Sequence, residues 1–162
     1  MTHSLTGLGP AVGWVRRGLG CLAVLGLLSP LAAGAARLAE PDARAVRKVV
    51  EAQLEAFAAD DAERAFSYAS PSIRARFGDA GQFMAMVHGV YPMVLRPAAV
   101  SFFLAQAEGG TERSKVTVRQ AVQLRDREGR LWMATYLLER QAGTGWRING
   151  CVVVADSAKS LT

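Results

Sequence analysis

The chain has 162 residues, of which 51% are hydrophobic and 20% charged, enough apolar material for one domain with a real core. That balance excludes a disordered or low-complexity chain. The net charge of +5 is scattered along the sequence without a basic stripe interleaved with aromatics, so a nucleic-acid partner is not expected.

Arg16 and Arg17 precede a stretch from Gly18 to Ala36 that carries no charge and closes on Ala32, Ala33, Gly34, Ala35 and Ala36. A basic start, an apolar middle and small residues at the end make residues 1–36 a secretory signal peptide. The alternative is an uncleaved membrane anchor, against which stand Ser29, Pro30 and the glycines of the apolar run. The expected location is periplasmic or secreted, or membrane-anchored if the segment is retained. The arginine pair also admits twin-arginine export, although its flanking residues fit that signal poorly. Cys21 lies at the start of the apolar run and not at its end, so lipid attachment is not expected. Cleavage near Ala36 leaves Cys151 alone and no internal disulfide. Cys151 sits in an apolar strand without a histidine partner, and reads as a small buried hydrophobe.

Residues 37–156 read as a single domain, and residues 157–162 as a frayed tail. Pro41 and Asp42 open a first helix whose apolar stripe is Val46, Val49, Val50, Leu54 and Phe57. Asp60 is expected to cap a second helix, with Glu63 in the capping-box position. Ser70 and Pro71 end that helix and start a short helical turn, capped at its far end by Gly78. Asp79 and Gln82 repeat the capping-box spacing for the next helix, in which Phe83, Met86, Val87 and Val90 form the expected packing stripe. His88 points away from that stripe, toward water.

From Val94 the period changes to two. Val100, Phe102 and Leu104 share one face of a strand, and Gly109-Gly110 marks a hairpin. Val116, Val118, Val122 and Leu124 share the buried face of the next strand, and Asp126 to Gly129 turns the chain. The strand from Leu131 to Arg140 is apolar on both faces, as a covered central strand would be. Trp146 to Val154 is the last strand, with Gly150 expected at a bulge or a close backbone approach. The expectation is an α+β fold in which three N-terminal helices pack on a curved four-stranded antiparallel sheet.

The run AFSYASPSIR from Ala65 to Arg74, then Phe77-Gly78, Phe83, Met86-Val87, the YPMV of Tyr91 to Val94, Arg96-Pro97 and the closing GWRINGC of Gly145 to Cys151 resemble a bacterial family known as domain of unknown function 4864. The resemblance spans about Val46 to Val154 and implies no activity and no catalytic residues. More coarsely, the helices, bent sheet and terminal Trp-Arg-Ile strand are similar to the nuclear transport factor 2-like superfamily. That similarity implies a cone-shaped fold shared by isomerases, dehydratases, ligand binders and interaction modules.

Catalysis in such a cone needs a carboxylate or histidine facing an apolar cavity. Asp60, Asp61, Glu63 and Asp79 are explained by capping, and Glu139 lies near a strand end beside Arg140. One histidine and one cysteine beyond residue 36 cannot build a tetrahedral metal site, and no phosphate loop, G-x-S-x-G or dinucleotide fingerprint is present, so no cofactor is expected. Tyr68, Tyr91, Trp132 and Tyr136 are amphipathic aromatics near the expected helix–sheet junction, suited either to an apolar pocket with polar handles or to ordinary core. Arg147, with Arg96, could hold an anion at the pocket mouth or lie along the sheet. Two functions remain open. One is an exported, non-enzymatic domain that binds a small apolar ligand or a protein partner, a second copy included. The other is a small cone-fold enzyme of isomerase or dehydratase type. A buried ionisable group inside the cone separates them.

Overall fold

The computed structural model describes residues 38–108 and 116–156. The expected signal segment, the expected hairpin at Gly109-Gly110 and the expected terminal tail lie outside the described residues. No described helix is long and apolar enough to cross a membrane.

Helix α1 (Glu40–Ala58) starts with Glu40, Pro41 and Asp42 in its first turn, where the fixed proline φ and the acidic charges suit the exposed N–H groups. It buries Val46, Val50, Leu54 and Phe57 as the spacing predicts, and Gln53 with them. Its wet face carries the Arg47–Glu51 pair at 2.7 Å.

Four helices stand where three were expected, because the proline-led turn is a full helix. Helix α2 (Ala62–Ser67) is capped by Asp61, whose carboxylate accepts the Arg64 N–H at 3.0 Å. Asp60, the expected cap, instead takes a left-handed conformation with φ 54°. From there its carboxylate accepts from Arg96 Nη2 at 2.5 Å and lies 3.2 Å from His88 Nε2. His88 is exposed as expected, though paired.

Helix α3 (Pro71–Phe77) follows at once, with Ser70 as N-cap and Gly78 at φ 78° closing it. Helix α4 (Ala80–Val90) is capped by Asp79, which accepts the Gln82 N–H at 2.8 Å and the Gln82 amide at 2.9 Å. Its buried face is Ala80, Phe83, Met84 and Val87. The expected stripe is thus rotated: Met84 goes inward, Met86 is half-buried and Val90 is 57% exposed. Both stripes have helical spacing; packing against α1 and α2 selects the one with the smaller Ala80. Phe83 is the hub, with Phe57, Phe66 and Phe77 rings at 6.1, 5.3 and 5.5 Å.

A 3₁₀ turn (Pro92–Val94) leads to the sheet. Strands β1 (Ala99–Phe102) and β2 (Gln106–Glu108) both pair antiparallel with β3 (Thr117–Arg125), at opposite ends of the same edge. Between them the chain bulges at Phe103 to Ala105, so Leu104 does not continue the expected strand face of Val100 and Phe102 and is 76% exposed. The cause lies opposite: Gln120, fully buried between Val118 and Val122, donates its amide to Phe103 O at 2.8 Å and to Ala121 O at 3.0 Å. The sheet continues through β4 (Leu131–Gln141) to the edge strand β5 (Gly145–Ala155), all antiparallel.

The inner face supplies Val118, Val122, Leu124, Ala134, Tyr136, Leu138, Trp146 and Ile148 to the same core as the helices. On the other face, Met133, Thr135 and Leu137 are half-buried, while Val152 and Val154 are 63% and 54% exposed. The expected bulge near Gly150 is present: Leu137 pairs with Gly150 and Leu138 with Ile148, leaving Asn149 as the extra residue. The result is an α+β domain with helices on one face of an open antiparallel sheet.

Candidate functional site

The site begins where α3 meets the bulge of β5. Ser70 N donates to Ile148 O at 2.8 Å and Ile148 N donates to Tyr68 O at 2.9 Å, a parallel bridge that pins the α2–α3 link to the sheet edge. Asn149, pushed out by the bulge, accepts at Oδ1 from the Ser70 hydroxyl at 2.8 Å and the Ser72 hydroxyl at 2.7 Å. The two most distinctive segments of the sequence, around Ser70-Pro71-Ser72 and Trp146 to Cys151, are thereby stitched together.

This seam forms one side of a half-open cleft of about 450 Å³. Ile73, Arg76 and Phe77 of α3 line it, with Phe83, Met86, Val87 and Val90 of α4 across from them. Tyr136 and Ile148 lie on the sheet side, and Asn149, Gly150, Cys151 and Val153 supply the edge. Tyr91 and Val94 close one end and Gln53 and Phe57 of α1 another. A volume of this order with mostly apolar walls suits a small organic ligand.

Two ionisable groups sit at the sheet side. Tyr136 is buried, and its hydroxyl meets the Cys151 thiol across the β4–β5 pair. Burial pushes the Cys151 thiol up to about 12, with the tyrosine hydroxyl opposing only part of that rise. Burial also pushes the Tyr136 phenol well above its ordinary range, reinforced by Cys151. Both are neutral near pH 7, so Cys151 is a thiol and not a nucleophilic thiolate there.

Of the sequence candidates, Tyr91 and Tyr136 line the cleft. Tyr68 stands at the C-cap of α2, using its carbonyl in the seam. Trp132 lies at the β3–β4 turn, donating its indole N–H to Asp126 Oδ2 at 2.9 Å with the Arg130 guanidinium 5.6 Å from its ring centre. Arg147 bends back to its neighbour's carbonyl, Trp146 O, at 2.9 Å. The structure therefore brings together two of the five.

The ionisable residues weighed for catalysis stand elsewhere. Asp60 and His88 are on the surface with Arg96, and Glu139, though buried, pairs with Gln141 Nε2 at 2.5 Å outside the cleft. No described group of three His, Cys, Asp or Glu side chains could hold a metal ion. Among the described residues, the cleft is lined by no carboxylate and no histidine.

Sequence reasoning missed Arg76, Asn149 and Gln53 as lining residues. Arg76 had a signal: it falls three residues after Ile73 and one before Phe77, which places it on the flank of their helical face. Asn149 had only its place beside Gly150, and Gln53 only its place within an apolar stripe.

A family described as Domain of unknown function (DUF4864) matches residues 39–161. No curated protein matches the chain.

Proposed function

The chain belongs to the family described as Domain of unknown function (DUF4864), and from that premise we propose that it is a non-enzymatic binding domain for a small, largely apolar ligand. The observation that carries this reading is the cleft itself: about 450 Å³, walled mostly by apolar side chains, with no carboxylate or histidine among its described lining residues to act as a general base. Its two inner ionisable groups, Tyr136 and Cys151, are held neutral by burial. The runner-up, a cone-fold isomerase or dehydratase, needs a carboxylate or histidine facing the cleft, and the described lining residues include neither. The helix-covered antiparallel sheet supports a relation to the nuclear transport factor 2-like superfamily at the level of architecture.

The uncharged, largely apolar run of residues 18–36 and the arginines before it support export, to the periplasm or beyond. A second reading, contact with a protein partner or a second copy through the sheet, draws on the exposure of Val152 and Val154. A native mass spectrum of the protein recovered from its own host tests all three proposals. The expected result is a chain shortened by about its first 36 residues, carrying an extra small-molecule mass. A bare shortened chain at dimer mass would overturn the ligand reading in favour of the sheet face. A full-length chain would overturn cleavage.

A further inference from the structure

We propose that the ligand of this cleft is an amphiphilic monocarboxylate whose acid group pairs with Arg76 while its hydrocarbon part occupies the apolar interior; this rests on the binding reading above. The argument is one of charge. Arg76 is the single formally charged residue among the described residues lining the cleft. Most arginines of the domain are already engaged: Arg47 with Glu51, Arg64 with Glu55, Arg96 with Asp60, Arg119 with Glu108, Arg130 with Asp126 and Arg140 with Asp42. Arg76 has no such partner among the described residues. Arg74, Arg125, Arg127 and Arg147 likewise lack a carboxylate partner, Arg74 lying over the Phe66 ring and Arg147 on the Trp146 carbonyl, and none of the four lines this cleft.

The nearby polar group agrees in sign. Asn149 Oδ1 is occupied by the Ser70 and Ser72 hydroxyls, so the atom left to face a ligand is its N–H₂, a donor. A guanidinium and an amide N–H₂ both call for an acceptor, and a planar carboxylate matches the guanidinium fork. One cation among the described lining residues suits a single negative charge rather than a phosphate dianion. Behind the rim, the buried Phe83, Val87 and Ile148 offer only hydrocarbon contact.

The test is calorimetric titration of the purified chain with decanoate and with decan-1-ol, an uncharged probe of equal length. The same titrations are run on Arg76→Gln and on Met86→Trp, which fills the cleft. Arg76 is exposed, so its replacement leaves the fold intact, and a thermal melt verifies this for both variants. The expected result is decanoate bound about tenfold more tightly than the alcohol, with that preference lost in Arg76→Gln and binding of both lost in Met86→Trp. Equal affinity for acid and alcohol, both abolished by Met86→Trp, would overturn the carboxylate inference and leave the binding reading standing. Binding that Met86→Trp does not alter, or no binding of either probe, would overturn both.

Discussion

The Ser70 hydroxyl lies 2.8 Å from Asn149 Oδ1, across 79 residues of sequence, and the same Oγ accepts the Ile73 N–H at 3.3 Å. One fully buried serine therefore caps α3 and anchors it to the bulge of β5. Ser70→Ala removes both bonds and the 2.8 Å contact with the Ser72 hydroxyl, and leaves the Ile73 N–H uncapped, a loss of about 1–2 kcal/mol in urea unfolding. Ser72→Ala, at an exposed position, loses less than about 0.5 kcal/mol. Equal losses from the two would contradict the anchoring role of Ser70.

Phe83 touches three other phenylalanine rings from three different helices and sits at the cleft wall. Phe83→Ala is expected to cost about 3–5 kcal/mol, while Phe83→Leu, which keeps most of the volume, costs about 1–1.5 kcal/mol. Denaturant midpoints at constant slope check both.

Asp60 holds a left-handed backbone that an ordinary side chain resists. Asp60→Gly gains backbone ease and loses the exposed contacts to Arg96 and His88, leaving stability within about 0.5 kcal/mol of the parent. Asp60→Ala has the losses without the gain and falls by about 1 kcal/mol. A larger loss for glycine than for alanine would show that the Arg96 and His88 contacts outweigh the backbone.

Asp126 organises the β3–β4 turn: it accepts the Arg130 N–H at 2.8 Å, Arg130 Nε at 2.7 Å and the Trp132 indole. Burial pushes its carboxyl up, but the Trp132 and Arg130 donors together outweigh burial and hold it below the usual range. Asp79, bonded by the Gln82 N–H and amide, is also held low. For a depressed carboxyl, the stabilisation is complete above the unfolded value, about 3.9, and is lost as pH falls through the lower folded value. Asp126→Asn is expected to be less stable at pH 7 and to show a flatter decline of stability below about pH 4. Parallel acid-unfolding curves for the two proteins would refute this.

The Cys151 thiol tests burial at the sheet side of the cleft. With its titration pushed up to about 12, only about one thiol in ten thousand is ionised at pH 8. In a Cys21→Ser chain, alkylation of the native protein should be about a thousandfold slower than in urea, where the thiol recovers its ordinary value near 8.5. Ionisation then favours the unfolded state between about pH 8.5 and 12, so stability falls there by up to about 1.4 kcal/mol per pH unit from this group. Rapid native alkylation would place the thiol in water.

Much of the domain was legible in the sequence, for a local reason. Ser70 and Asp79 cap helices because a side-chain oxygen reaches an N–H three residues on, whatever surrounds it. Val118, Val122 and Leu124 face inward because a strand alternates its sides, and Gly129 turns the chain because it alone accepts φ 83° cheaply. Family membership, too, followed from segments read in order. What only the tertiary structure decided were choices between local options of nearly equal merit. Asp60 and Asp61 are equally good caps until Arg96 and His88 claim the first. The α4 stripes through Met84 and Met86 have the same period until α1 and α2 cover one, and the strand after Ala99 runs straight until Gln120 holds its bulge. The cleft is of this second kind: Arg76 and Asn149 reach it only because two hydroxyl bonds join residues 77 and 79 positions apart, and no periodicity in a chain specifies which of its distant faces will meet.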